Sequence, residues 1–361
     1  MRGLSEGVSD WLMNDRDGCG SGKRLALAPM GLIMMLSRVA VLLLMCCLLL
    51  LGRASNALAQ DQTEDKSPGQ KSARTLQQLV NEAAHAALQR FADKKLDEKN
   101  LAITLIDLRD PHRPAQASFR GDEPIYPASV VKLFYLVAAH RWLEDGRLKE
   151  TSELRRALRD MIVDSSNDAT HYVLDMLTDT TSGPELPPAE MGQWQKKRDA
   201  VNRYFASLGY THINVNQKTF CEDAYGRERA SRGPKGENRN KLTTSATARL
   251  LAEIVAGRAV TPARSAEMME LLKRDFSGTS DDQDDQAHGF TAIALSTGAR
   301  LWSKAGWTST TRHDAAYIEL PDGARFILVT FTTDHAKERE IIPTVARVII
   351  DRLSSVNAAA R

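Results

Sequence analysis

From Thr75 onward, apolar residues recur at three- and four-residue steps through Leu76, Leu79, Val80, Ala83, Ala87 and Phe91, which predicts a helix with one buried face. The stretch LAITLIDL at 101–108 switches to a continuous apolar run of strand length, and QASFRGD behind it is placed to pair with it as a hairpin. Helical spacing returns over roughly 127–208, broken by turn-forming residues in EDGRLKE, DSSND and TSGPELPP. Residues 209–241 have no clear period and contain the charged YGRERASRGPKGENRN, a loop of a length that usually signals function or disorder. Helical patterns resume at TTSATARLLAEIVAG and TPARSAEMMELLKRDF. After an acidic turn, SDDQDDQ, the strands AAYIEL and RFILVTFTT are joined by PDGA, and a helix over 335–354 closes the chain. Strands at both ends and helices between them predict an α+β fold. One antiparallel sheet is built from both chain ends, flanked by terminal helices, with an all-helical lobe beside it.

The N-terminus follows a different rule. VAVLLLMCCLLLL at 39–51 is preceded by Arg38 and followed by GRASNALA, with Ala57 and Ala59 in an A-x-A pattern. This predicts a signal peptide over 1–59, cleaved before Gln60, with translation starting at Met30, Met34 or Met35. Export to the periplasm or the extracellular space follows, with no membrane attachment after cleavage; an uncleaved anchor is the alternative. Residues 60–74 are polar and aperiodic, a linker, leaving 75–355 as one domain. Without 1–59, Lys/Arg and Asp/Glu are equal in number, so the small positive charge belongs to the export segment and nothing favours a nucleic-acid partner. Of four cysteines only Cys221 lies beyond that segment, so no internal disulfide is expected.

Candidate chemistry starts at YPASVVKLFYLVAAHRWLEDG, residues 126–146, where Lys132 falls on the inward side of an apolar helix. A buried ammonium costs several kcal/mol unless something answers it. Ser129 stands three residues earlier, so the two share a helix face, and the positive helix end disfavours the ammonium form. A neutralised lysine beside a hydroxyl is a general base for a nucleophile; a solvated lysine at a helix start is the plainer reading. DSSNDA at 164–169 offers Ser165 and Asn167, although Ser, Asn and Asp equally favour helix caps. Lys304-Ala305-Gly306 lies just before a hairpin, where a surface lysine and a turn glycine would be unremarked. The eight histidines show no metal spacing, and Asp281, Asp282, Asp284 and Asp285 lack the glycine of an EF-hand and read as a solvated turn.

Together, S-x-x-K on a helix start, S-x-N in a helical turn and K-x-G on a late strand occur here in the order of the serine acyl-transferases that act on penicillins. YPASVVKL, MIVDSSNDATHYVL and TRHDAAYIELPDG resemble the surroundings of those motifs. The chain thus resembles the class A β-lactamase-like serine hydrolases over about residues 75–355. The resemblance implies Ser129 as acylated nucleophile, Lys132 as its base or proton relay, and Ser165 as proton donor to the leaving nitrogen. It implies Asn167 holding the substrate's amide side chain, Lys304 supporting Ser165 and attracting a carboxylate, and Gly306 admitting close backbone approach. The N–H groups of Ser129 and Trp307 would form the oxyanion hole, and Arg312 would help bind the carboxylate. Neither metal nor cofactor is implied, and a monomer is expected.

Three departures qualify these expectations. Ala305 replaces a hydroxyl residue, leaving Thr308 or Ser309 to supply the missing hydrogen bond. The spacing between Ser129 and Ser165 is short, which opens one side of the cleft. The family's deacylating glutamate has no clear counterpart; Glu228 is preferred over Glu222 and Glu237. The expected function is opening of β-lactam amides through a serine acyl-enzyme, on a small β-lactam substrate. The alternative is a penicillin-binding-like D,D-peptidase or other serine amidase or esterase, acting on a peptidoglycan-like peptide and releasing β-lactams slowly. A catalytically weak binding module on the same fold is a third reading.

Overall fold

The computed structural model describes residues 68–359 apart from 112, 221 and 222. Residues 1–59, where a signal peptide is expected, Cys221 and Glu222 therefore lie outside the described residues. Six strands form one antiparallel sheet in the order β2-β1-β6-β5-β4-β3. β1 (Leu101–Asp107) and β2 (Ala115–Phe119) come from the N-terminal side, and β3 (Lys273–Arg274), β4 (Arg300–Trp307), β5 (Thr311–Glu319) and β6 (Arg325–Thr333) from the C-terminal side. The hairpins expected at β1–β2 and β5–β6 are both present, with Ile106 opposite Gln116 and Ala316 opposite Leu328. β1 closes the two ends of the chain together by pairing with β6, Leu105 against Leu328.

Helices cover both faces of this sheet. On one side α1 (Pro68–Arg90) and α10 (Ile341–Ala359) pack through Leu79, Val80, Val345 and Ile349 against Leu101, Ile103, Leu105 and Leu328. On the other, Ala102, Ile106, Ile327 and Val329 meet the helical lobe. With both faces covered, β1 is buried at every position, which accounts for its continuous apolar run in place of alternation.

The lobe holds α2 (Lys132–Glu144), α3 (Ser152–Ile162), α4 (Asn167–Thr178), α5 (Pro188–Arg198), α6 (Ala200–Ser207), α7 (Gly226–Arg232), α8 (Thr244–Val255) and α9 (Pro262–Leu272). α2 is its axis, buried without a break from Lys132 to His140. Several boundaries differ from expectation: α1 opens at Pro68, inside the segment expected as a linker over 60–74, and α7 lies inside the stretch 209–241 expected as an irregular loop. The segment at Ser129 is a 3-10 turn, Ala128–Val131, because Ala128 sits at φ 46 after Pro127 and the backbone tightens before α2 begins. The closing helix starts at Ile341, with Pro343 in its first turn where a missing N–H costs nothing. The long loop is ordered by side chains: Asn240 Oδ1 accepts from the N–H groups of Asn216 and Gln217 at 3.1 and 2.9 Å, and Tyr135 donates to Gln217 O at 2.7 Å.

His313, buried in β5, joins the sheet to the segment ahead of Ser129. Thr332 N–H donates to its Nδ1 at 3.1 Å, so the ring hydrogen lies on Nε2 and donates to Tyr126 O at 2.9 Å. Burial pushes His313 down to about 4, as it does His140 in α2. Both are neutral in the fold and bind a proton near 6.5 when unfolded, so their stabilisation is present above pH 6.5 and is lost as pH falls towards about 4. Thermal unfolding midpoints should decline across that window, and His313→Asn should show a shallower decline than the parent chain.

Candidate active site

Three expected residues meet at one oxygen, Ser165 Oγ, and a fourth, Asn167, stands beside them. The α3–α4 turn presents Ser165 at φ 55, a left-handed conformation that turns its hydroxyl towards the start of α2. Lys132 Nζ donates to Ser165 O at 2.5 Å, Ser165 Oγ at 3.2 Å and Asn167 Oδ1 at 2.9 Å. From the sheet side, Lys304 Nζ donates to the same Ser165 Oγ at 3.0 Å. Both lysines are fully buried. Two N–H donors fill both lone pairs of a hydroxyl oxygen, so the Ser165 O–H proton is left to point at a third group. Ser166 serves as the cap instead, accepting from Ala169 N–H at 3.2 Å, so the capping reading of this segment applies to its neighbour.

Ser129 is partly exposed on the 3-10 turn, one helical turn ahead of Lys132. The strand β4 runs against this turn at Gly306. A Cβ there would lie 2.7 Å from Ser129 N and 2.8 Å from Pro127 O, so only glycine lets the two backbones meet. Thr308 N–H points to Thr311 across the hairpin, whereas Ala305 N–H points outward to Gln286 Oε1 at 3.1 Å. Alternation along the strand then turns Trp307 N–H outward as well, on the open edge beside Ser129. Arg312 pairs with Trp307 across β4–β5 and stacks over Phe290 at 3.8 Å, with its Nη1 on Asp284 Oδ1 at 2.6 Å.

Two residues that sequence reasoning passed over hold this arrangement. Arg274 Nη2 donates to Ser303 O and Ile162 O at 2.7 and 3.0 Å, and Gln286 Nε2 donates to Val163 O at 2.9 Å. Together they tie β4 to the end of α3, two and three residues before Ser165. Gln286 Oε1 also receives Lys304 Nζ at 2.5 Å, and Lys304 donates further to Ala305 O at 2.7 Å. Burial, with Lys132 and Arg274 close by, holds the Lys304 ammonium well below its ordinary value. No periodicity or motif marks Arg274 or Gln286, since each reaches the site from a short strand or loop, and Asp284 reads only as part of a solvated turn.

The glutamates fall differently. Glu228 is buried in the lobe, accepting from Arg198 Nη2 and Ser182 Oγ at 2.7 and 2.9 Å through Oε1 and from Arg198 Nη1 at 3.1 Å through Oε2. Lys218 joins this cluster through Asp175 Oδ2 at 2.6 Å. Glu237 is exposed and accepts from Lys235 N–H at 3.1 Å. Among the described residues no three His, Cys, Asp or Glu side chains gather as a metal site. Glu228→Gln leaves the fully buried Arg198 guanidinium short of its counter-charge and should cost about 3–5 kcal/mol, measured as a lower urea midpoint.

The family model described as the beta-lactamase enzyme family matches residues 147–353. No curated protein matches the chain by sequence. The fold is similar to that of a beta-lactamase from Sphaerobacter thermophilus, at TM-score 0.56 and 19% identity over 76% of this chain and 97% of that one. It is also similar to PBP-A, at TM-score 0.51 and 18% identity over 74% of this chain and 96% of that one. A beta lactamase from Xanthomonas campestris pv. campestris gives TM-score 0.52 and 17% identity over 76% and 98%. Among the described residues no helix is long and apolar enough to cross a membrane. A family match over more than half of the chain, carried on a fold shared across about three quarters of it, makes this chain a member of the beta-lactamase enzyme family and a serine hydrolase.

Proposed function

We propose that the chain is an exported hydrolase that opens β-lactam amides through an acyl-enzyme on Ser129, as class A β-lactamases do. The observation that carries this reading is the convergence of Lys132 and Lys304 on Ser165 Oγ, with Ser129 one helical turn ahead. Lys132 in its neutral form takes the Ser129 proton as Oγ attacks the amide carbon. The N–H groups of Ser129 and Trp307 hold the developing oxyanion, a term of about 2.7–4 kcal/mol for each donor. As the amide C–N bond breaks, Ser165 passes its proton to the departing nitrogen and regains one from Lys132, 3.2 Å away, which returns Lys132 to its neutral form. Asn167 positions the substrate's amide side chain, Gly306 admits the strand, and Lys304 supports Ser165 through its contact with Oγ.

A second reading has an observation of its own. Glu228, the preferred candidate for activating the deacylating water, is committed to Arg198 and Ser182. Slow release of the acyl group, as in a penicillin-binding-like D,D-peptidase, fits that commitment.

Mixing the purified chain with a chromogenic cephalosporin, while following intact mass and colour, tests both. Continuing turnover with little adduct is expected of a β-lactamase, a stoichiometric burst with a lasting adduct is expected of the second reading, and Ser129→Ala should abolish either. Absence of both adduct and colour would sink the β-lactam assignment. Gly306→Ala should slow acylation by about a hundredfold by pushing β4 off the Ser129 turn, while the far-ultraviolet circular dichroism spectrum is kept.

A further inference from the structure

The loop between β3 and β4 supplies its own oxygens to polar groups of β4 and β5. Gln286 Oε1 takes Lys304 Nζ and Ala305 N–H at 2.5 and 3.1 Å. Two residues earlier, Asp284 Oδ1 takes Arg312 Nη1 at 2.6 Å, and Gln283 O takes Arg312 Nη2 at 3.2 Å. Arg339 Nη2 lies 3.2 Å from both Asp284 oxygens, so the second guanidinium nearby is spent on the same carboxylate. The Arg312 side chain is only 2% exposed and that of Asp284 is 27% exposed, so an incoming anion meets the aspartate before the arginine. Asp281, Asp282 and Asp285 stand in the same loop and add to the negative field. Ala305, beside this position, offers no hydroxyl to a carboxylate either.

A carboxylate arriving at Arg312 would have to displace Asp284 or lie against it, and like charges at such range oppose each other. An uncharged group meets no such opposition and finds the Asp284 oxygens as acceptors. We infer that Asp284 is a specificity-determining residue, filling the anion-accepting side of Arg312 from within the chain so that the cleft favours uncharged acyl donors over those carrying a carboxylate beside the scissile amide. This rests on the acylation of Ser129 proposed above, and it deepens that reading by naming the substrate class.

A cephalosporin free acid and its methyl ester form a matched pair of probes. Acylation rates of both are measured by intact mass on the full chain and on Asp284→Asn, and their affinities are measured by calorimetry in the Ser129→Ala background with and without Asp284→Asn. The parent chain should favour the ester. Removing the charge should move the free-acid to ester ratio towards the acid by about tenfold or more in both measurements, and Asp284→Glu should restore the parent preference. A ratio left unmoved by Asp284→Asn, or moved towards the ester, overturns the inference. Should Ser129 take up neither probe, the acyl-enzyme reading fails, and the calorimetric ratio still decides the part played by Asp284. Unchanged circular dichroism and thermal midpoint separate a charge effect from a folding defect.

Discussion

Two buried lysine amino groups share one hydroxyl oxygen, and much of the surrounding structure exists to make that tolerable. A cation removed from water costs several kcal/mol unless its donors are matched. Lys132 is answered by Ser165 O, Ser165 Oγ and Asn167, and Lys304 by Ser165 Oγ, Gln286 and Ala305 O. Those partners come from the α3–α4 turn, a loop and the β4 backbone, so the site stands only while these pieces hold register. Arg274 and Gln286 maintain it by binding the carbonyls at the end of α3. The left-handed backbone of Ser165 is a local cost that these ties offset.

Charge is also buried in the lobe, with a different purpose. Arg198, Glu228, Asp175 and Lys218 link α5, α7, α4 and the long loop in one cluster. Such a cluster adds little net stability compared with an apolar filling, yet breaking it by removing one member is costly. It thus fixes where the loop runs. His171 reinforces this one turn beyond Asn167 on α4, through its Nε2 contact with Thr219 O at 2.8 Å. A glutamate that looked like a candidate base from its place in an irregular loop is therefore a structural member of the lobe. The distinction lies in its neighbours, which are distant in sequence: Ser182 and Arg198 precede it by 46 and 30 positions.

The loop ahead of β4 meets the same edge of the sheet. Oxygens from residues 283–286 occupy the cationic and N–H groups of β4 and β5. A run of aspartates that reads as a solvated acidic turn is in fact anchored at one point by two guanidinium groups. This edge is thus tied down by a loop that carries none of the candidate site residues named from the motifs.

Much of the fold was legible in the chain itself. Periodicity marked α1, β1, the α2–α6 block, α8, α9 and the β5–β6 hairpin, because burial on one face or both leaves a regular apolar trace. Ser129, Lys132, Ser165, Asn167, Lys304 and Gly306 were legible because local backbone geometry places them: a helix start, a turn and a strand each constrain residue type over three or four positions. What the sequence by itself determined was therefore this order of elements and these short motifs. Tertiary structure alone decided that both lysines would meet one Ser165 oxygen, that Glu228 would belong to Arg198, and that Asp284 and Gln286 would reach β4 and β5. Those contacts join residues far apart in the chain, through loops with no period, and hydrogen bonds over such separations leave no pattern that a linear reading can detect.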